Sequence, residues 1–224
     1  MEKIALESLR LIAADYVSQQ VIDELRSEGI YSIKNSPNVH VNVVLVSTDK
    51  GADNINEILE THACARRNVV ITMNPELSIK KESDIFSILS FQADSNPYLE
   101  LKKFLQLYNI CIEKHGLLCF DLSDFSILIR GRNVISTHSY VYKKDITEAL
   151  AHLKSIYIKE NGRYILAITI ANDYTDEMKE ITLPEKITLP VGDYIETFPD
   201  KSLLYLTITI ATPKTLSLFT SIPL

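Results

Sequence analysis

Two aspartates three residues apart, Asp121 and Asp124, are the residues of this sequence best suited to chemistry. They stand in the stretch GLLCFDLSDF, residues 116–125, directly after an apolar run typical of a buried segment. Asp121 could cap a helix that begins after it, with Asp124 in the first turn where the helix dipole favours negative charge. The pair could instead position a reactant and take up its proton. A cap, worth about 1 kcal/mol, explains neither Gly116 nor the long helical pattern that precedes it.

The composition excludes several classes of protein. The chain has 224 residues, of which 46% are hydrophobic and 23% charged, as in an ordinary globular protein with a substantial core. The net charge of −6 and the absence of any Lys and Arg cluster argue against nucleic acid or an anionic membrane as a partner. We therefore expect neither.

The three cysteines, Cys64, Cys111 and Cys119, form no CxxC pair, which favours reduced thiols and a cytoplasmic location. The first residues, MEKIALESLRLIAADYV, contain charges that interrupt the apolar core of a signal peptide. No later segment has the length of a membrane span.

No metal site is expected. Two His and Cys pairs offer donor atoms, but their spacing matches no common zinc pattern: these are His62 with Cys64, and His115 with Cys119. No local signature marks either thiol as a nucleophile.

The first half of the chain predicts alternating helices and strands. Apolar residues at steps of three and four predict an amphipathic helix over 3–28. The continuous apolar run 41–46 predicts a strand covered on both faces, followed by a polar turn, a helix and a second strand, which together form one βαβ unit. A helix over 80–92 and a longer helix over about 98–114 follow.

The second half predicts an α+β arrangement. The pattern indicates a helix to Ile129, a strand over 133–142, a helix over 144–155 and a strand over 163–173. The segment 174–191 gives no clear pattern. Two closing strands are predicted over 193–198 and 203–213, and the strict alternation of the second is typical of an antiparallel strand with one face only partly covered.

The stretch 116–125 resembles the loop after the central helix of FtsZ and its tubulin relatives, whose pattern is Gly-Leu-Ile-Asn-Leu-Asp-Phe-Ala-Asp-Val. Four positions match it, Gly116, Leu117, Asp121 and Asp124. Five others are similar in size or character, Leu118, Phe120, Leu122, Ser123 and Phe125. Cys119 departs from the pattern, because the family has an asparagine there that takes part in the subunit interface. The element order over 98–212 also resembles the family's C-terminal domain.

The resemblance implies a fold and a site. It implies an α/β protein with a shortened Rossmann-like N-terminal lobe over 1–96, a connecting helix over 97–115, and an α+β lobe with a mixed sheet over 116–224. In the family this loop enters the nucleotide site of the next subunit, where its two aspartates polarise a water against the γ-phosphate. Asp121 and Asp124 would be catalytic if that activity is present. The implied interface loop comprises Gly116, Leu117, Cys119, Asp121 and Asp124.

The family's phosphate-binding loop, Gly-Gly-Gly-Thr-Gly-Thr-Gly, is absent from this sequence. Backbone N–H groups reach the phosphates there because glycines carry no side chains. The nearest counterpart is STDKGADN, residues 47–54, a strand-to-helix turn with one glycine and two acids, Asp49 and Asp53, that would oppose an anion. If nucleotide binds, its candidate residues are Ser47, Thr48, Lys50 and Gly51.

The sequence therefore predicts a degenerate FtsZ/tubulin-like protein. It would act as a polymer cap, scaffold or assembly regulator by associating with its own copies or with an FtsZ/tubulin-like partner, without hydrolysing GTP alone and with no cofactor. One alternative is a polymer-forming GTPase that binds GTP at an atypical loop. The other is an unrelated α/β interaction module in which Asp121 is only a cap.

Overall fold

A computed structural model describes residues 3–33, 36–62, 65–77, 79, 86–114, 116–118, 120–143, 145–171 and 185–224. The chain divides into two compact units. Unit 1 comprises residues 1–109, 129–135 and 224, and unit 2 comprises residues 110–128 and 136–223. The division at residues 96 and 115 drawn from the sequence stays a prediction.

Unit 1 contains a parallel sheet. Its strands, in spatial order, are β2 (Leu9–Ala13), β4 (Val41–Val46), β5 (Arg67–Thr72), β6 (Ser87–Phe91) and the first residues of β7 (Arg132–Val141). Every residue of β4 is buried, as expected of a parallel strand covered on both faces. A separate parallel pair joins β1 (Ile4–Leu6) to β3 (Ile30–Ser32).

The helices of unit 1 are α1 (Tyr16–Ser27), α2 (Asp49–Asp53), α3 (Ile55–Thr61) and α4 (Pro97–Tyr108). Asn96 caps α4, and Pro97 occupies its first turn, where a proline costs no hydrogen bond. A π-helical turn, Asn109–Glu113, extends α4. The predicted long helix over 98–114 and the predicted βαβ unit are confirmed.

Unit 2 contains a mixed sheet. The spatial order is β7, β10 (Thr215–Pro223), β8 (Arg163–Ile170) and β9 (Leu203–Ile210). Strand β10 is antiparallel to β8, whereas β9 is parallel to β8. Its helices are α5 (Leu122–Leu128), α6 (Ile146–Leu153) and α7 (Glu185–Ile195). Buried residues of α6, α7 and the strands form one hydrophobic core, in which Tyr164 and Tyr194 are almost fully buried. The predicted fold class, α/β with a mixed sheet in the C-terminal part, is confirmed.

The predicted helix over 3–28 is wrong in its first half. Residues Leu9–Ala13 form β2, which pairs in parallel register with Val41–Leu45, and only Tyr16–Ser27 is helical. Periodicity over so short an apolar run cannot separate a strand from a helix. The helix begins only after Asp15, because the Asp15 side chain accepts a hydrogen bond from Ser18 N and caps α1.

The predicted helix over 80–92 is also wrong where it can be checked. Residues Ser87–Phe91 form β6, paired in parallel with β5, while residues 80–85 lie outside the described part of the chain. The stretch is short and largely buried, which suits an inner strand as well as a helix.

Two predictions near the C-terminus need correction. The predicted strand over 193–198 is the end of α7 and the turn after it, where Glu196 N donates to Gly192 O. Pro190 and Gly192, both poor helix formers, conceal this helix in the sequence. Strand β9 is confirmed as a strand but pairs in parallel with β8, and its alternation reflects its position at the end of the sheet. Strand β10 was not predicted from the sequence.

Candidate functional site

Gly116 begins the loop because no side chain fits there. A Cβ at this position would lie 2.7 Å from Ile208 O, closer than a carbon and an oxygen can approach without displacement. The next residue, Leu117, donates its backbone N–H to the same oxygen at 2.7 Å. The glycine thus allows the backbone to approach Ile208 of β9 closely, shortly after the π-helical turn.

The loop is held to β9 by two further contacts. Leu118 forms an isolated antiparallel bridge with Ile208, and Leu118 O accepts a hydrogen bond of 2.9 Å from Thr207 Oγ1. Thr209 Oγ1 donates to Ile110 O at 3.3 Å. Thr207 and Thr209 of β9 are therefore hydrogen-bonded to the loop and to the π-helical turn, respectively.

Asp121 and Asp124 form a reciprocal cap at the start of α5. Asp121 Oδ1 accepts hydrogen bonds from Ser123 N at 2.7 Å and Asp124 N at 2.9 Å, while Asp124 Oδ2 accepts from Asp121 N at 3.2 Å. This is the arrangement of a capping box. Asp121 is exposed and Asp124 half-buried. The capping bonds use one oxygen of each carboxylate and leave both acids at the surface.

An aromatic contact packs the loop against β9. The buried ring of Phe120 meets Tyr205 edge to face, with ring centroids 5.2 Å apart. The pKa of Tyr205 is raised by burial first and then by the negative charges of Asp124 and Asp121, with Arg163 opposing. The Tyr205 hydroxyl therefore stays protonated beside the two acids.

The turn after β4, which holds the candidate nucleotide-binding residues, is hydrogen-bonded to Asp15. Asp15 Oδ2 accepts from Ser47 N at 2.8 Å and from Thr48 N at 3.1 Å. The other oxygen, Oδ1, accepts from Ser18 N at 2.9 Å. Backbone N–H groups in a strand-to-helix turn are the groups that a phosphate would use. Here two of them are bound to a carboxylate of the same chain.

The Asp15 carboxylate packs directly against Gly51. A Cβ on this buried glycine would clash with Asp15 Oδ2, at 2.3 Å. Thr48 Oγ1 caps α2 by accepting from Gly51 N at 3.1 Å. The Lys50 residue is exposed. The single glycine of this turn therefore accommodates an internal acid.

Hydrogen bonding keeps Asp15 ionised. Burial alone would raise its pKa, but the hydrogen bonds from Ser18, Ser47 and Thr48 outweigh burial and lower the pKa below its ordinary value of 3.8. The hydroxyls of Ser18 and Ser47 also lie 2.9 Å apart. Sequence reasoning missed Asp15 because it fell inside the helix predicted over 3–28. The local signal, an acid before a helix, indicates a cap but not the contact with the turn after β4.

The described strands of the unit 1 sheet show no reversal of order. Strands β2, β4, β5, β6 and β7 follow one another across the sheet in chain order. Ligands of open parallel sheets bind where the strand order reverses, because the crossovers on either side then separate and leave a crevice. The described strands of unit 1 contain no such point.

The described residues contain no group of His, Cys, Asp and Glu that could hold a metal ion. Of the four donors noted in the sequence, only His62 is described, and its Nδ1 lies 2.8 Å from Ile58 O. Cys64, His115 and Cys119 lie outside the described residues. Cys111 is buried, which raises the pKa of its thiol to about 12 and makes it unreactive. No described helix is both long and apolar enough to span a bilayer.

Solved structures identify the fold. CetZ1 from Haloferax volcanii, solved as a GDP-bound monomer, aligns with 94% of this chain and 72% of its own at a TM-score of 0.50 and 11% identity. The chain has the FtsZ/tubulin fold. The second alternative drawn from the sequence, an unrelated α/β interaction module, concerns function and stays a prediction.

Two further FtsZ/tubulin-like structures align less closely. CetZ from Methanosaeta thermophila strain DSM 6194 is 13% identical over 96% of this chain, with a TM-score of 0.43, and the chain spans 61% of its length. TubZ from Bacillus thuringiensis serovar israelensis, in GDP-form protofilaments, is 11% identical over 93% of this chain and 69% of its own, with a TM-score of 0.43. No protein-family model and no curated protein matches the sequence. At these identities the likeness concerns the fold alone.

Proposed function

We propose that this FtsZ/tubulin-like protein acts by protein association through the loop 116–124 and does not hydrolyse GTP on its own. The observation that carries the proposal is the Asp15 carboxylate, which is hydrogen-bonded to the backbone N–H groups of Ser47 and Thr48. A phosphate entering this turn would meet a negative charge and would have to displace these hydrogen bonds. We therefore expect Ser47, Thr48, Lys50 and Gly51 to hold no nucleotide.

The strand order supports the same conclusion. The parallel strands of unit 1 run in chain order, so the described residues lack the crevice in which open α/β sheets bind nucleotides. Without a bound nucleotide, Asp121 and Asp124 have no phosphate of their own chain or of an identical neighbour to act on. Asp121 and Asp124 would then serve to contact a partner protein.

The loop itself is built for contact. Its backbone is fixed to β9 at Ile208 and Thr207, and its two acids are presented at the start of α5. A loop fixed in this way loses little conformational entropy when a partner binds it. A subunit with this loop and no phosphate site would engage one end of an assembly and would not extend it, as expected of a cap, scaffold or regulator.

Sedimentation velocity with and without GTP and Mg²⁺ tests the proposal. We expect association, with itself or with an FtsZ/tubulin-like partner, to be unchanged by GTP and to be lost in the double variant Asp121→Asn, Asp124→Asn. Asparagine caps helices about as well as aspartate, so this variant removes charge and keeps the fold. Association that requires GTP would instead favour the alternative of a polymer-forming GTPase.

A further inference from the structure

One surface of unit 2 carries exposed apolar side chains at both ends and two acids between them. It consists of Leu118, Asp121, Asp124, Ile127, Leu203 and Tyr205, and it is called the α5–β9 surface below. Leu118 is 41% exposed, Ile127 46% and Leu203 37%. A partner that covers these three aliphatic side chains would bury apolar area that water now contacts.

Backbone contacts place these residues together. Leu203 is the register partner of Arg163, and Arg163 Nη1 donates to Ile127 O at 3.2 Å. Leu118 lies at the other end, bridged to Ile208, about 16 Å along β9 from Leu203 at the usual rise of a strand. The aliphatic groups therefore stand at both ends of one stretch of β9.

The two acids occupy the middle of this stretch. Phe120, which directly precedes Asp121, packs edge to face on Tyr205 of β9. After burial, the charges of Asp124 and Asp121 raise the pKa of that tyrosine. The nearby cation, Arg163, is hydrogen-bonded to the carbonyls of Ile127 and Leu128 at 3.2 and 3.5 Å, at the carboxyl end of α5. Each acid keeps one carboxylate oxygen outside the capping bonds. The centre of the surface is thus negative.

We propose that the α5–β9 surface binds a cationic, amphipathic segment of a different protein, with Lys or Arg meeting Asp121 and Asp124 and apolar residues covering Leu118, Ile127 and Leu203. This inference rests on the proposed function and specifies its partner. Complementary charge selects such a segment, and the aliphatic rim supplies the area to be buried. A second copy of this chain is disfavoured because each copy carries a net charge of −6.

Calorimetry with the full chain and two designed peptides tests this proposal. One probe is a short amphipathic peptide of leucine and lysine, and the other has glutamate in place of lysine. We expect the lysine peptide to bind and the glutamate peptide not to bind. The double variant Asp121→Asn, Asp124→Asn should weaken binding of the lysine peptide about tenfold or more.

A matched control separates this surface from the overall charge. The double variant Glu57→Gln, Glu60→Gln removes two negative charges from α3, in unit 1, and should leave binding of the lysine peptide unchanged. Equal weakening in both double variants, or no binding by the native chain, would overturn the inference.

Aliphatic variants provide a second comparison. Leu118→Ser and Ile127→Ser should each weaken binding several-fold, whereas Leu189→Ser, at a residue 64% exposed on α7, should not. All three substitutions are at exposed positions, where effects on stability stay within about 0.5 kcal/mol. Equal effects at all three positions would contradict the inference.

Sedimentation distinguishes the inference from the proposed function. If the chain associates with itself through Asp121 and Asp124 and does not bind the lysine peptide, the inference fails and the proposed function stands. If neither self-association nor peptide binding responds to any substitution in the α5–β9 surface, both fail.

Discussion

The turn after β4 and the loop before α5 both bring carboxylates to backbone N–H groups, but they use them differently. In the turn, Asp15 comes from a distant junction and accepts from Ser47 and Thr48 across 32 and 33 residues. In the loop, Asp121 accepts only from residues two and three positions later. The first carboxylate joins two segments of the chain, whereas the second completes a local cap and remains exposed.

This difference bears on function. A long-range acid that holds two segments together cannot leave without a cost in stability, so we expect its turn to exclude other anions. A local cap uses only part of its hydrogen-bonding capacity and remains available to a partner. The two regions therefore agree with the proposals that unit 1 binds no phosphate and that unit 2 carries a contact surface.

Replacement of Asp15 should have the largest effect. We expect Asp15→Ala to lower the free energy of unfolding by about 3 kcal/mol, because three backbone N–H groups lose a charged acceptor. Urea denaturation measures the change. The control Asp23→Ala, at an exposed residue of the same helix α1, should change stability by less than about 0.5 kcal/mol. Similar small losses in both variants would show that Asp15 does not join the two segments.

Substitution at Gly51 tests the same contact from the other side. Gly51→Ala should destabilise the protein by about 2 kcal/mol, because the new Cβ would displace the Asp15 carboxylate from a position 2.3 Å away. Gly192→Ala is the matched control. Nothing lies within 4 Å of that position, and it is inside α7, so alanine should be neutral or stabilise the protein by up to about 1 kcal/mol. If Gly51→Ala also proves neutral, the described contact is wrong.

Acid should weaken the Asp15 contact. The pKa of Asp15 is lower in the folded protein than its ordinary value of 3.8. Its contribution to stability is therefore complete above pH 3.8 and is lost as the pH falls through the folded pKa. Urea titrations of the native chain and Asp15→Asn should differ most above that pH and converge below it. A difference that does not change with pH would contradict an ionised Asp15.

Asp121 should show the smallest effect. Asp121→Ala is expected to cost about 1 kcal/mol through the lost cap, and Asp121→Asn close to nothing, because asparagine caps equally well. Thermal unfolding of the two variants measures both. A large loss with asparagine would mean that the charge of Asp121 stabilises the fold, which would remove the contrast with Asp15.

The sequence predicted the strongly periodic helices better than the short buried strands. The loop pattern around Gly116 and the strong periodicity of α4 and α6 are local signals, and the structure confirms these helices. In unit 1, β2 and β6 were predicted as helices because short buried runs carry no decisive period. β2 and β6 form strands because they pair with β4 and β5, and a local sequence pattern does not show which segments pair.

The candidate site shows the same limit. The capping role of Asp121 could be predicted from spacing alone, since its hydrogen bonds lie within three residues. The role of Asp15 could not, because it depends on the parallel pairing of β2 with β4 that brings two distant turns together. Sequence reasoning assigned the opposing charge in the turn to Asp49 and Asp53. The structure adds Asp15, hydrogen-bonded directly to the turn.

Calorimetric titration of the full chain with GTP and Mg²⁺ tests the central claim most directly. That claim is that Asp15 takes the hydrogen bonds a phosphate would need, so that only the contact loop remains active. We predict no heat beyond that of dilution at micromolar protein and GTP concentrations. Saturable binding with micromolar affinity, abolished by a substitution at Lys50 or Thr48, would contradict it.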